Sequence, residues 1–395
     1  MSNPSIISLR PRRKDGATRR RVIASAVSAT ALAVALLGAG CSTVRQPYSQ
    51  VDNADVRIAG MPHVRAWADD QSQSLLGLNT STAPLTMLTL SGGGAESAFG
   101  AGFLSGWSDS GSRPRFSIVT GSSVGALMAP FAFLGADYDP VLKDIFTSGQ
   151  IGNLLRVDGI NGIVGAGVFK TEPLKQLIEH YTDDALLDAI PVEQRKGRFL
   201  FVVTTNLDAQ RAVIWNMTAI AASEHPARLD LFRRVLIASA SIPGMFAPTF
   251  IDVESDGKRF AEMHVDGGVI SNVLSVPEAL LLAKLPNRST ARPKLYIIVN
   301  GKLAPDFDFV NDGTLSIVAR SFSTSIKANT RNTLIATYEF TRRNSWEFRA
   351  TAIERDHAIA TSSFNFDTAY LRDLFDYGHA RGRSGRAWQT TLPRA

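Results

Sequence analysis

Phe116-Ser117-Ile118-Val119-Thr120-Gly121-Ser122-Ser123-Val124-Gly125, with the apolar run 126–134 behind it, is the stretch on which the reading of this chain turns. Its first half is apolar and β-favouring, its second half is a G-x-S-x-G pentapeptide, and the run that follows suits a buried helix. Strand, sharp turn and helix is the expectation. Gly121 and Gly125 lack a Cβ, so the chain can fold back tightly and present the Ser123 hydroxyl at the tip, with the following backbone N–H groups aimed at an anion. A nucleophile elbow has this form; so does a Gly-flanked turn in which Ser123 merely caps the helix.

Outward from this unit, strands and helices alternate. Residues 85–91 read as a buried strand ending in Gly92-Gly93-Gly94, and Phe99, Phe103 and Trp107 then recur at helical spacing. Downstream, 198–205 reads as a central strand, and 229–240 as a helix that stops at Pro243-Gly244. His264-Val265-Asp266-Gly267-Gly268 reads as a strand end with a glycine turn, and 295–299 as a further strand. Helices are expected over 171–181, 277–284, 314–340 and 366–377, with a strand at 346–353. Such alternation implies an α/β fold with a mostly parallel sheet covered on both faces.

The chain has 395 residues, 45% of them hydrophobic, enough for a substantial core and unlike a disordered sequence. Its net charge of +6 is confined to the N-terminus: residues 1–40 hold seven Arg or Lys against one acid, so the remainder is neutral. The basic balance therefore gives no support to a nucleic-acid partner. The basic leader runs into an apolar stretch, 22–37, and then Gly38-Ala39-Gly40-Cys41, the pattern of an export signal. Thr18-Arg19-Arg20-Arg21-Val22-Ile23 also loosely fits a twin-arginine signal. Cys41 is the only cysteine, which excludes an intramolecular disulfide. Here the sequence resembles a bacterial lipoprotein whose mature first residue is a lipidated cysteine, although Gly38 stands where Leu is usual. The expected organisation is a signal peptide (1–40), a polar tether (41–84) whose Val64 and Trp67 can dock on the domain, a catalytic domain (85–380) and an Arg-rich solvated tail (381–395).

A hydroxyl nucleophile needs a base and donors for the oxyanion. The triple glycine suits the second need, because backbone N–H groups without side chains approach a substrate oxygen closely. It lacks the following Lys-Ser/Thr of a nucleotide P-loop. Two bases are open. Asp266, in its glycine turn, takes the proton from Ser123 directly, or a Ser-His-Asp triad uses His357 or His379, both of which look like surface residues.

Taken together, Gly92-Gly93-Gly94, Gly121-Ser122-Ser123-Val124-Gly125, the block from Ala238-Ser239-Ala240-Ser241 through Ile242-Pro243-Gly244 to Met245-Phe246-Ala247-Pro248, and Asp266-Gly267-Gly268 resemble the patatin-like phospholipase family. The resemblance implies a three-layer α/β/α fold, Ser123 as nucleophile, Asp266 as base and an oxyanion hole at Gly92, Gly93 and Gly94. It also implies hydrolysis of acyl esters in phospholipids or related lipids, with no metal or organic cofactor. With the lipoprotein signal, it implies an exported, membrane-anchored protein of the cell envelope facing the periplasm, with the outer membrane one option. A non-catalytic lipid-binding envelope protein is the alternative from another class. Glu96 favours it, standing where members of the family often carry Arg or Lys; at a helix N-terminus Glu96 is expected to face solvent, the alternative being that it points inward and weakens oxyanion stabilisation. The apolar segment 145–169 is expected as a wall or lid for acyl chains, or as core.

Overall fold

An edge strand hidden in the expected tether opens the sheet. β1 (Arg65–Trp67) pairs antiparallel with β5 (Arg211–Asn216), Ala66 opposite Ile214. Val64 and Trp67 are buried, so residues 46–70 belong to the folded unit rather than to a solvated linker. The computed structural model describes residues 45–53, 55–70, 85–155, 167–282, 285, 291–359 and 365–392. The expected signal peptide (1–40), Cys41, the polar stretch 71–84 and the middle of the apolar segment, 156–166, lie outside the described residues.

β2 (Thr86–Leu90), β3 (Ile118–Gly121), β4 (Phe199–Asn206), β8 (Lys294–Lys302) and β9 (Glu347–Ile353) form a parallel centre in the order β4-β3-β2-β8-β9. β5 joins β4 antiparallel on its outer edge. β6 (Thr249–Ser255) and β7 (Lys258–Asp266) form a hairpin, and β7 pairs antiparallel with the last residues of β4. Asp256 and Gly257, both at positive φ, make its two-residue turn.

The helices are α1 (Ser97–Asp109), α2 (Val124–Leu134), α3 (Asp139–Thr147), α4 (Glu172–Tyr181), α5 (Asp184–Gln194), α6 (Met217–Ala222), α7 (Arg228–Ala240), α8 (Glu278–Leu281), α9 (Thr314–Arg343) and α10 (Thr368–Arg383). Successive strand residues point to opposite faces, and here they enter two separate cores. Leu88, Leu90, Leu200, Val202, Tyr296 and Ile298 meet Phe99 of α1, Phe131 of α2, Phe232 of α7 and Phe375 of α10. Met87, Phe201, Val203, Leu295 and Ile297 meet Val273, Leu274 and Leu334 of α9. The result is an α/β/α arrangement, a mostly parallel sheet between helical layers, as expected from the sequence.

The end of the chain is also structural. α1 and α10 cross backbone against backbone: a Cβ on Gly102 would lie 1.9 Å from the Phe375 carbonyl oxygen, and one on Gly378 would lie 2.1 Å from that of Phe99. Beyond α10, Trp388 packs on Trp107, Phe103 and Tyr296 with ring centroids 4.8–5.0 Å apart. Gln389 exchanges two backbone hydrogen bonds with Ala350. The tail expected to be solvated therefore closes part of the core.

Candidate active site

Strand register brings the expected nucleophile and base together. On the edge of β4 that faces β3, Gly121 stands opposite Val202 and Asp266 opposite Thr204, two residues further along. β3 ends at Gly121 and β7 occupies the edge it vacates, so the turn after β3 opens directly onto the end of β7. Ser123 Oγ donates to Asp266 Oδ2 at 2.6 Å. Ser123 is 5% exposed and Asp266 1%. The site lies at the carboxyl ends of the parallel strands, where open α/β sheets place their ligand crevices.

The elbow is strained and held. Ser123 has φ 55° and ψ −132°, sparsely populated for a residue with a side chain; such a conformation costs about 1–3 kcal/mol and persists only when neighbours enforce it. Ser123 N–H donates to Ser239 Oγ at 3.1 Å, and Ser239 Oγ–H donates to the Val203 carbonyl at 2.7 Å. On the far side of the turn, Gly125 presses on the end of β2, where a Cβ would lie 2.4 Å from the Ser91 carbonyl oxygen. α2 then runs into the interior with every residue buried, which suits a helix apolar on all sides.

Asp266 Oδ1 accepts from Gly268 N–H at 2.6 Å, and Asp266 N–H donates to the Ser241 carbonyl at 2.9 Å. Burial pushes its carboxyl up to about 7, against the opposing pull of the Ser123 and Gly268 hydrogen bonds. A carboxylate tuned near neutrality can accept and return a proton at physiological pH. Gly267 has Val203 O only 2.5 Å from the place of a Cβ, so the turn after Asp266 leaves no room for a side chain.

Under β7 lies a buried polar chain. Glu262 pairs with Arg65 of β1 and takes His264 Nε2–H at 3.0 Å. His264 Nδ1 accepts from Thr204 Oγ1 at 2.9 Å, and Thr204 Oγ1 accepts from Trp215 Nε1 at 2.8 Å. This arrangement is that of a neutral imidazole with its proton on Nε2, which gives Thr204 Oγ1–H an acceptor. Burial lowers the His264 pKa, although Glu262 pulls it up. Burial raises the Glu262 carboxyl, but Arg65 and His264 together hold it below its ordinary value.

A cavity of about 320 Å³ opens over the dyad, with Ser123, Asp266, Gly93 and Gly94 on one side and Ile242, Phe322 and Ile326 among its apolar walls. Gly92, expected as a third oxyanion donor, lines only the neighbouring cavity, and its N–H donates to the Asn272 carbonyl at 3.4 Å. The Gly93 and Gly94 amides meet no acceptor among the described residues. Glu96 does not face solvent as expected: it is 7% exposed and lines the adjoining cavity of about 90 Å³ with Lys302, Asp306, Arg320 and Lys327. None of the six histidines lines the cavity over Ser123. His357 stacks on Tyr377 at 3.7 Å, and His379 Nε2 lies 2.7 Å from Asp109 Oδ2, so neither is placed to serve a triad. The sequence reading left three contributors without a role: Ser239, present only as part of a motif, Asn272, and the α9 wall with Arg320, for which no local pattern exists.

Residues 88–279 match the sequence model of patatin-like phospholipases, from within β2 into α8 and across every segment of the dyad. The match makes the domain a hydrolase of lipid esters. No curated protein matches the chain. Among solved structures, VipD from Legionella pneumophila aligns at 12% identity and a TM-score of 0.34, over 75% of this chain and 67% of that one. The type III effector protein ExoU aligns at 10% identity and a TM-score of 0.27, over 76% of this chain and 53% of its own, so this chain spans about half of ExoU.

Proposed function

We propose that this patatin-like lipid ester hydrolase works through a Ser123–Asp266 dyad and an acyl-enzyme. Asp266 accepts the Ser123 proton as Oγ attacks the ester carbonyl carbon, and the carbonyl oxygen becomes an oxyanion facing the Gly93 and Gly94 N–H groups. Collapse breaks the bond to the alcohol oxygen, which leaves with the proton from Asp266. Water then attacks the acyl-enzyme, gives a proton to Asp266, and releases the fatty acid as that proton returns to Ser123 Oγ. The acyl chain lies along Ile242, Phe322 and Ile326.

One observation carries this reading: the buried 2.6 Å contact between Ser123 Oγ and an Asp266 carboxyl raised to about 7. The test is release of free fatty acid from phospholipid and short-chain ester by the full chain, with Ser123→Ala and Asp266→Asn beside it. Activity in the parent that disappears in both variants is expected, as is fluorophosphonate labelling of Ser123 in the parent alone. Full activity in Ser123→Ala would sink the dyad.

The export pattern and Cys41 support a further part of the reading, in which the enzyme is a lipid-anchored envelope protein facing the periplasm and acting on membrane lipids. Cys41→Ser is expected to move it from the membrane fraction to the soluble fraction; unchanged membrane retention would remove the covalent anchor from the account.

A further inference from the structure

The loop after β2 approaches the substrate with a buried carboxylate, Glu96, so the positive charge near the dyad comes from elsewhere. It comes from β8 and α9, as Lys302, Lys327 and Arg320. The two lysines converge on one acid: Lys327 Nζ lies 2.6 Å and Lys302 Nζ 3.5 Å from the Asp306 carboxylate, and Lys327 also donates to the Ala304 carbonyl. Arg320 differs. Its Nη2 donates to the backbone carbonyl of Asp306, and no carboxylate pairs with it among the described residues. Arg320 also lines both cavities, the one over Ser123 and the one beside it.

We propose that Arg320 holds the phosphodiester of a glycerophospholipid while one of its acyl esters lies at Ser123. The inference rests on the hydrolase reading above and names the residue that holds the substrate's phosphate at that site. A guanidinium presents several N–H donors in a planar fork that matches phosphate oxygens, and Arg320 spends one of them on the Asp306 carbonyl. In a glycerophospholipid the phosphate is joined to the ester-bearing carbons through glycerol, a few bonds away, so an ester at Ser123 leaves the phosphate inside the same cavity or at its junction with the next. In the cavity over Ser123, Arg320 shares the lining with Asp308 and with Asp266, whose carboxylates oppose a dianion. They therefore favour the singly charged phosphodiester of a lipid over free phosphate.

The experiment compares kcat/KM of the full chain, Arg320→Gln and Arg320→Lys on dioleoyl phosphatidylcholine and on dioleoylglycerol in the same non-ionic micelles. Arg320→Gln is expected to lower the phosphatidylcholine value about 10- to 100-fold, the usual loss for a hydrogen-bonded charge pair, and to leave dioleoylglycerol unchanged. Arg320→Lys is expected to fall between. Equal losses on both substrates, or no loss on either, would overturn the proposal. Calorimetry of dihexanoyl phosphatidylcholine binding to Ser123→Ala, with and without Arg320→Gln, reads the contact without turnover. Affinity that ignores Arg320 overturns the phosphate site even if the enzyme is active, whereas inactivity towards every ester, with Arg320-dependent binding intact, overturns only the dyad. Inorganic phosphate binding as tightly as the phosphodiester would assign Arg320 to the free ion and overturn the lipid reading.

Discussion

Ser239 fixes Ser123 to the sheet: its hydroxyl takes the Ser123 N–H at 3.1 Å while giving its own proton to the Val203 carbonyl at 2.7 Å. The strained turn is thereby tied to β4, the strand that also sets the position of Asp266. Ser239→Ala leaves a buried N–H and a buried carbonyl without this partner, a loss of about 1–3 kcal/mol. Because the elbow relaxes, kcat is expected to fall further than stability suggests, by about 10- to 100-fold, with KM little changed. Steady-state kinetics beside a urea melt separates the two effects; a stability loss without a kcat loss would mean that Ser239 only supports the fold.

Asp266 sets the pH behaviour. Activity is expected to rise through about pH 7 to a plateau as the carboxyl ionises. Stability runs the other way. Between the unfolded value of 3.8 and the folded value of about 7 the native state holds a proton that the unfolded state has lost, so stability declines across this window and the full cost is present above it. Asp266→Asn removes that cost, on the order of a few kcal/mol. The variant should be inactive, equal to the parent in thermal midpoint below about pH 4, and more stable than the parent above about pH 8. Equal melting curves at high pH would show that burial does not strain the carboxylate.

Gly378 is expected to tolerate no side chain. A Cβ there would lie 2.1 Å from the Phe99 carbonyl oxygen and 3.0 Å from Phe103 N, backbone atoms that cannot step aside without moving α1. Gly378→Ala should cost about 3 kcal/mol or more, read as a lower urea midpoint. A midpoint equal to the parent's would mean that the two helices separate freely.

The histidines should divide sharply. His357→Ala and His379→Ala are expected to keep esterase activity within a small factor, because neither side chain reaches the cavity. His264→Ala should destabilise the protein by about 3 kcal/mol, since it leaves a cavity at a fully buried site and takes one hydrogen-bond partner each from Thr204 and from Glu262, which keeps Arg65. A large activity loss in His357→Ala or His379→Ala with the fold intact would restore the triad.

Much of the fold is legible because its central strands are short apolar runs ended by glycine, as at Leu90 before Gly92 and Val119 before Gly121. The long helix from Thr314 and the strand from Glu347 are equally plain. What escaped depends on partners distant in sequence. β1 is three residues long, and its burial comes from β5, far along the chain. Trp388 sits near arginines and is half-buried against Trp107 and Tyr296. The β6–β7 hairpin does carry a local signal, Asp256-Gly257 between two alternating runs, yet it is absent from the expectations. At the site, the motifs point to Ser123 and Asp266, but their juxtaposition follows from β3 ending two residues before β7 on one edge of β4. Arg320 is one cation among many in a basic helix, and only the packing of α9 singles it out.

β1 has a consequence beyond packing. With it in place the outer edge of β5 is covered by a three-residue strand whose Trp67 is stacked by Arg65 and by Arg211, and Asp69, just beyond the strand, binds Arg211. A protein begun at residue 71 would leave the edge of β5, with Val213, Ile214 and Trp215, open for its full length. An uncovered apolar edge is a template for another chain, so such a shortened protein should pair edge to edge and aggregate from solution. Residues 46–70 thus keep each molecule from growing onto its neighbour.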